Sequence, residues 1–172
     1  MSVTEHKKKG HLSVHASVIT LSDTRSTETD TSGRRIRDLL QEAEHQVISY
    51  VIIKDEPHDI KSAVRELLHT PQVDVIITNG GTGITPRDTT FEAMQGLFEK
   101  EIAGFGEIFR MLSYEEIGAS AMLTRATAGI AKGKAIFCLP GSTGAVELGM
   151  KNLVLPELGH VMFLLRGERH AH

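Results

Sequence analysis

A glycine-rich segment near the middle of the chain carries the clearest chemical signal in the sequence. Residues 79–83 read NGGTG and directly follow a run of β-branched residues. Glycines let a backbone turn tightly and direct several N–H groups at one anion, for which phosphate is the natural ligand. A strand–glycine–helix turn can also serve chain geometry alone, and the turn by itself leaves that alternative open. We interpret residues 79–83 as a candidate phosphate-binding turn.

Two aspartates stand where they could act on a phosphorylated ligand. Asp88 closely follows the glycine-rich turn, and Asp55 follows the second predicted strand. A carboxylate repels phosphate unless a cation lies between them, and Mg²⁺ is the usual bridge. Each aspartate could equally be an acidic residue favoured near a helix N-terminus. Both are therefore candidate catalytic residues and magnesium ligands, with the helix alternative open.

Two other loops share the small and acidic residues of the glycine-rich region. One begins at Ser22 and Asp23 and continues to residue 32, and the other covers residues 140–144. Loops that follow parallel strands converge at one edge of an open sheet, where ligands usually bind. Acidic residues in a polar loop, such as Asp23 and Asp30, are more often simply solvated. The three loops together predict one cleft.

The elements that must position these loops follow from the hydrophobic pattern. Apolar, β-branched runs alternate with amphipathic stretches, which is typical of repeated βα units around a mostly parallel sheet. The predicted strands are residues 14–21, 47–53, 73–78 and 134–139, and the predicted helices cover 33–44, 102–112, 144–155 and 156–165, with two more beginning at Pro57 and near Thr89. The helix near Thr89 has the spacing of a capping box with Glu92. The predicted fold is a three-layer α/β/α sandwich.

Length and composition limit the class of protein. The chain has 172 residues and 40% hydrophobic residues, enough for one domain, which we place at residues 13–168 between tails at 1–12 and 169–172. A net charge of −3 gives no footprint for nucleic-acid binding. The single cysteine, Cys138, excludes a disulfide framework, and no apolar run is long enough for a membrane helix or a signal peptide. We expect a cytoplasmic protein that binds neither membranes nor nucleic acids.

Five short motifs, taken in order, resemble the MoaB/Mog family of molybdenum cofactor biosynthesis. They are LSD at 21–23, TNGGTG at 78–83, TPRD at 85–88, GFGE at 104–107 and LPGS at 139–142. Each motif is weak alone, but their order and spacing are specific and span residues 14–165. The chain looks most like the MoaB branch, because residues 141–145 read GSTGA where Mog-type domains have a proline two residues after the glycine.

The resemblance implies a function and assigns residues to it. The family includes molybdopterin adenylyltransferases, which join molybdopterin to the AMP part of ATP and release pyrophosphate with Mg²⁺. By motif, the nucleotide-binding residues are Ser22, Asp23, Gly80, Gly81, Thr82, Gly83, Pro140, Gly141 and Ser142. The pterin-binding residues by the same reasoning are Asp30, Ser113, Thr124 and Arg125, and the magnesium ligands are Asp55 and Asp88. A carrier or scaffold protein of the same pathway is the alternative.

The resemblance also implies self-association and other proteins of the pathway as partners. Family members form trimers, and in the MoaB branch hexamers, so a homotrimer or homohexamer is expected. The apolar residues Phe105, Ile108 and Phe109 in the predicted helix 102–112 fit such an interface.

Overall fold

The computed structural model describes residues 12–167. The predicted tails lie outside this range, apart from Leu12, which packs against the core. Within residues 12–167, no helix is long and apolar enough to cross a membrane.

A six-stranded sheet forms the middle layer, in the spatial order β2-β1-β3-β6-β5-β4. Its strands are β1 His15–Leu21, β2 Gln46–Ile53, β3 Val75–Asn79, β4 Lys100–Glu101, β5 Thr127–Ala131 and β6 Lys134–Leu139. The first four strands in this order are parallel, whereas β5 and β4 are antiparallel to their neighbours. All five residues of β3 are buried, as expected for a central strand covered on both faces.

Within the described residues 12–167, six α-helices cover the two faces of the sheet. They are α1 Thr31–Glu42, α2 Pro57–Leu68, α3 Thr90–Gln95, α4 Ala103–Ile117, α5 Thr143–Gly149 and α6 Leu155–Gly167. Buried residues of α1, α4, α5 and α6 form one apolar cluster with the sheet, and those of α2 and α3 form a second cluster on the opposite face. The predicted three-layer α/β/α sandwich with a mostly parallel sheet is confirmed.

The antiparallel edge of the sheet was not predicted. Strand β5 reads TAGIA and lacks the β-branched run that marked the other strands. It joins β6 through Lys132 and Gly133, both with positive φ (49° and 70°). Positive φ at both central residues is characteristic of a type I′ hairpin turn, so the KG dipeptide was the available signal.

Several helix boundaries also differ from the prediction, and α1 begins and ends two residues earlier than expected. Helix α4 continues five residues beyond the predicted end, and a 3₁₀ turn, Gly118–Leu123, follows it. The helices predicted at 144–155 and 156–165 form one continuous helical segment, because a π-helical stretch, Met150–Val154, joins α5 to α6. Pro156 is tolerated there at the second position of α6, next to the wider π turn.

Candidate functional site

The three loops expected to form a cleft meet in the structure. They follow β1, β3 and β6, which are adjacent and parallel, so their carboxyl ends lie together. The N–H of Gly80 donates to the carbonyl of Leu139 at 3.0 Å. A Cβ on Gly141 would lie 3.4 Å from the Cα of Gly80. The glycine-rich turn and the 140–142 loop are therefore in direct contact.

The backbone of the turn admits only glycine at residues 80 and 81. Gly80 has a φ of +104°, and a Cβ there would lie 2.3 Å from the carbonyl oxygen of Leu21. Gly81 has a φ of +67°, and its Cβ would lie 2.3 Å from Oγ1 of Thr90 and 2.7 Å from Oδ2 of Asp55. Such distances are shorter than side chains permit. The turn thus passes directly against the Asp55 carboxylate.

Asp55 is a buried acid in an acidic setting. The residue is only 8% exposed, and the hydroxyl of Thr89 donates to its Oδ1 at 3.2 Å. Burial raises the pKa of Asp55 above its ordinary value, and the Asp88 and Asp23 carboxylates raise it further, against the hydrogen bond from Thr89. The expected capping box is wrong, because Thr89 makes no side-chain bond to α3 and Glu92 pairs with Arg125. Thr89 instead orients Asp55.

Asp88 has the opposite electrostatic character. Its Oδ2 accepts hydrogen bonds from the Thr85 backbone N–H at 2.8 Å and from the Thr85 hydroxyl at 2.6 Å. Burial alone would raise the pKa of Asp88, but these bonds, one from the N–H of Gly83 and the charge of Arg125 lower it. Asp88 is therefore held as a carboxylate beside the turn, while Asp55 is poised closer to protonation.

Arg87 bridges three loops at the rim of the cleft. Its guanidinium donates to Asp23 at 2.9 Å and to Glu56 at 2.8 Å, while its own backbone belongs to the loop after the glycine-rich turn. The Arg87 side chain is 54% exposed, so its ion pairs with Asp23 and Glu56 contribute little to the stability of the fold. Its effect is to hold Asp23 near Asp55, whose backbone N–H donates to Asp23 at 3.2 Å.

Arg125, which the sequence suggested as a pterin ligand, binds the backbone of the glycine-rich turn and of the loop that follows it. Its backbone N–H donates to the carbonyl of Thr82 at 2.7 Å. Its guanidinium donates to the carbonyls of Gly83 at 2.8 Å and Asp88 at 2.9 Å and pairs with Glu92. Most of its donors are thus committed to the protein. Contact between Arg125 and a pterin stays a prediction.

The remaining predicted pterin residues lie in different surroundings. Ser113 is 5% exposed on α4, and the buried Oγ1 of Thr124 has no hydrogen-bond partner among residues 12–167. Asp30 is fully buried and caps α1, accepting from the N–H of Gly33 at 3.0 Å. A direct contact between Asp30 and a ligand therefore finds no support in its position.

Sequence reasoning missed Arg25, whereas the resemblance had placed Ser32 only in a loop near the pterin pocket. Arg25 donates to the carbonyl of Gly141 at 2.9 Å, and the hydroxyl of Ser32 donates to the same oxygen at 2.8 Å. They join the loop after β1 to the loop after β6. An arginine inside a polar loop gives no sequence signal of this role, because the Gly141 carbonyl that it binds is 116 residues away in the chain.

A cavity of about 430 Å³ opens beside the loop after β1. It lies between the loop after β1 and the second half of β2, and its lining includes Ser22, Asp23, Arg25, Tyr50 and Lys54. None of the residues 79–83 or 140–142 contributes to its wall. The cavity shares Ser22, Asp23 and Arg25 with the loop after β1, which also forms part of the cleft. It therefore extends the cleft toward β2 and does not coincide with the glycine-rich turn.

Comparisons with known proteins agree with this architecture. Residues 17–160 match the family model described as "Probable molybdopterin binding domain". The chain is 55% identical to molybdenum cofactor biosynthesis protein B of Bacillus cereus over 166 residues, which is 96% of this chain and 98% of that protein.

Solved structures give the same result. A crystal structure of a molybdenum cofactor biosynthesis protein B has a TM-score of 0.90 and 52% identity, over 92% of this chain and 99% of that one. The tungsten cofactor synthesizing protein MoaB from Pyrococcus furiosus has a TM-score of 0.81 and 38% identity, over 90% and 98% of the two chains. The chain belongs to the MoaB/Mog family of molybdenum cofactor biosynthesis proteins, on its MoaB branch.

Proposed function

We propose that this protein adenylylates molybdopterin with ATP and Mg²⁺. The observation that carries the proposal is the contact between the buried Asp55 carboxylate and Gly81 in a turn whose backbone requires glycine. Burying a carboxylate against this turn destabilises the fold, so its presence there supports a functional role beside a bound cation and phosphate. Membership in a molybdenum cofactor biosynthesis family supports molybdopterin as the acceptor.

The oxygen donors near the turn suit Mg²⁺. Asp55 and Asp88 supply two carboxylates, and Mg²⁺ is usually bound by one or two carboxylates together with substrate phosphates. Residues 12–167 contain no group of three acidic, histidine or cysteine side chains that could hold a metal unaided. That donor set suits an ion that arrives with the nucleotide. When bound, Mg²⁺ would offset the negative charge of the phosphates beside these acids.

The chain's own groups would act by positioning and charge. The turn Gly80, Gly81, Thr82 and Gly83 and the loop Pro140, Gly141 and Ser142 would hold the phosphates and the nucleotide, with Ser22 and Asp23 closing the cleft. An oxygen of the molybdopterin phosphate then forms a bond to the α-phosphorus of ATP. The bond from that phosphorus to the bridging oxygen breaks, and pyrophosphate leaves. Such a transfer depends on orientation and electrostatic stabilisation.

No protein nucleophile is required. The single cysteine, Cys138, is fully buried in β6, and burial raises its pKa to about 12. On the acceptor side, we propose Ser113, Thr124 and Arg125 as the pterin-binding group. The buried Thr124 hydroxyl has no hydrogen-bond partner in the described part of the chain, which supports this assignment, because a ligand group could satisfy it.

One observation favours the alternative of a pterin carrier without turnover. The Ser142 hydroxyl accepts from the N–H of Ala145 at 3.2 Å and so caps α5. This bond gives Ser142 a structural role that needs no nucleotide. Under this alternative the protein binds molybdopterin and does not bind ATP.

Calorimetry with ATP, Mg²⁺ and molybdopterin separates the two functions. An enzyme binds ATP and molybdopterin, and Asp88→Asn then loses adenylylation by at least about 100-fold while its fold is retained. The control is Asp38→Asn, which changes an exposed aspartate on α1 and should keep full activity. Full activity in Asp88→Asn would remove Asp88 from the mechanism, and molybdopterin binding without ATP binding would support the carrier.

We also propose that the protein works in the cytoplasm as a homotrimer or homohexamer, alongside other proteins of the pathway. The predicted interface needs a correction, because Phe105 and Phe109 are 6% and 1% exposed and belong to the core. Ile108 is 45% exposed and continues into an apolar stripe along α4 that also contains Met111, Tyr114 and Ile117, which are 57%, 64% and 59% exposed. An apolar stripe of this kind is typical of a subunit interface.

Sedimentation tests the proposed assembly. The wild-type protein should sediment at three or six times the 18.8 kDa chain mass. A charge at the centre of the stripe, in Met111→Glu, should dissociate it, whereas Leu164→Glu, at a 51% exposed position on α6, is the control. A monomeric wild-type protein would contradict the assembly.

A further inference from the structure

Arg25 connects the beginning of its own loop to two other segments. Its backbone N–H donates to the Ser22 hydroxyl at 3.0 Å. Its guanidinium donates to the Ser32 hydroxyl at 2.6 Å and to the Gly141 carbonyl at 2.9 Å. The side chain is 31% exposed, so these bonds form in a partly desolvated setting. One planar guanidinium thus links the loop after β1, the start of α1 and the loop after β6.

The carbonyl of Gly141 is held firmly. It accepts from both Arg25 and Ser32, the latter at 2.8 Å. On its other side Gly141 packs on Gly80, where the added Cβ would lie 3.4 Å from the Gly80 Cα. Any movement of the Gly141 carbonyl therefore changes the gap between the 140–142 loop and the glycine-rich turn.

Asp30 anchors both sides of this gap. Its carboxylate is fully buried and pairs with Arg25 at 3.6 Å. It also accepts from the Thr20 hydroxyl at 2.6 Å and from the Tyr50 hydroxyl at 2.5 Å. Thr20 in turn accepts from the side-chain amide of Asn79 at 2.9 Å, and Asn79 directly precedes Gly80. One buried carboxylate thereby supports the glycine-rich turn through Thr20 and the opposite loop through Arg25.

We infer that Arg25 is a positioning residue that fixes the separation between the glycine-rich turn and the 140–142 loop. The identity of the ligand in that gap rests on the proposed function, whereas the fixed separation does not. This role requires two donor nitrogens in a fixed arrangement, because one guanidinium nitrogen of Arg25 donates to Ser32 and the other donates to Gly141. A lysine places all its donors on a single nitrogen and cannot reproduce that geometry.

Hydrogen exchange on the free protein tests the separation directly. In Arg25→Met the amides of residues 79–84 and 140–144 should exchange about tenfold faster, as expected when a charge-assisted hydrogen bond is lost. Arg25→Lys should show most of the same increase. The matched control is Arg35→Met, which removes a guanidinium that is 27% exposed and paired with Glu42 and Glu147 on α1 and α5. The control should leave exchange in both segments unchanged.

ATP titration then connects the separation to ligand binding. We expect Arg25→Met and Arg25→Lys to weaken ATP binding about tenfold, and Arg35→Met to bind like the wild type. Unchanged exchange at residues 79–84 and 140–144 in Arg25→Met overturns the inference. Faster exchange with wild-type ATP affinity would support the positioning role and refute ATP as the ligand of this gap. If the wild type itself binds no ATP, the proposed function fails, and the exchange result alone decides whether Arg25 positions the loops.

Discussion

Replacing Gly81 with alanine tests whether the glycine-rich turn and Asp55 form one unit. The new Cβ would lie 2.3 Å from the Thr90 hydroxyl and 2.7 Å from Asp55, and both side chains are buried. The left-handed backbone, with φ at +67°, costs an alanine about 1–2 kcal/mol. Displacing the Thr90 hydroxyl breaks its 2.9 Å bond to the Gly80 carbonyl, which adds about 1 kcal/mol. We expect a total loss of about 2–3 kcal/mol in the free energy of unfolding.

Urea denaturation measures this loss. For a slope of about 2 kcal/mol per M, the midpoint of Gly81→Ala should fall by about 1–1.5 M. The matched control is Gly104→Ala in α4, where an added Cβ meets no atom of residues 12–167 within 4 Å. That change should leave the midpoint unchanged or raise it slightly, because alanine favours a helix. A Gly81→Ala midpoint within about 0.2 M of the wild type would refute the geometry described for the turn.

Two further predictions concern the charged groups of the site. A carboxyl with a raised folded pKa stabilises the fold at low pH and loses that contribution as the pH rises through this pKa. Asp55→Asn, which keeps an acceptor for Thr89, should therefore unfold at higher urea concentration than the wild type at pH 7, with the difference narrowing toward pH 4. Equal stability at both pH values would contradict the burial of a charge at Asp55. Arg125→Met should cost about 2 kcal/mol of unfolding free energy, measured in urea, since it removes the charged donors to Gly83 and Asp88. A loss of molybdopterin binding at full stability would instead favour Arg125 as a direct pterin ligand.

The parallel part of the fold was predictable because its signals are local. Strands β1, β2, β3 and β6 are apolar runs whose length and bounding residues can be read directly, and the predicted strands differ from the observed ones by at most two residues at either end. Strand β5 was not predicted, because the segment TAGIA is stabilised by pairing with β6 and not by its own composition. Tertiary context decides such strands.

The features of the site also differ in whether local sequence signals or long-range contacts determine them. The convergence of three loops follows from parallel topology, which the sequence pattern contains. The roles of individual side chains depend on long-range partners, as with Thr89, which was expected to cap a helix and orients Asp55 34 residues away. The protein partners of Arg125 and Asp30 were likewise not readable from their motifs, and their contacts with a pterin stay predictions.

Adenylyl transfer by the wild-type protein can be measured by incubating it with molybdopterin, ATP and Mg²⁺ and separating the products. The proposed function predicts adenylylated molybdopterin and pyrophosphate in equal amounts, formed only when all three components are present. Molybdopterin bound and recovered unchanged, with no pyrophosphate released, would contradict it.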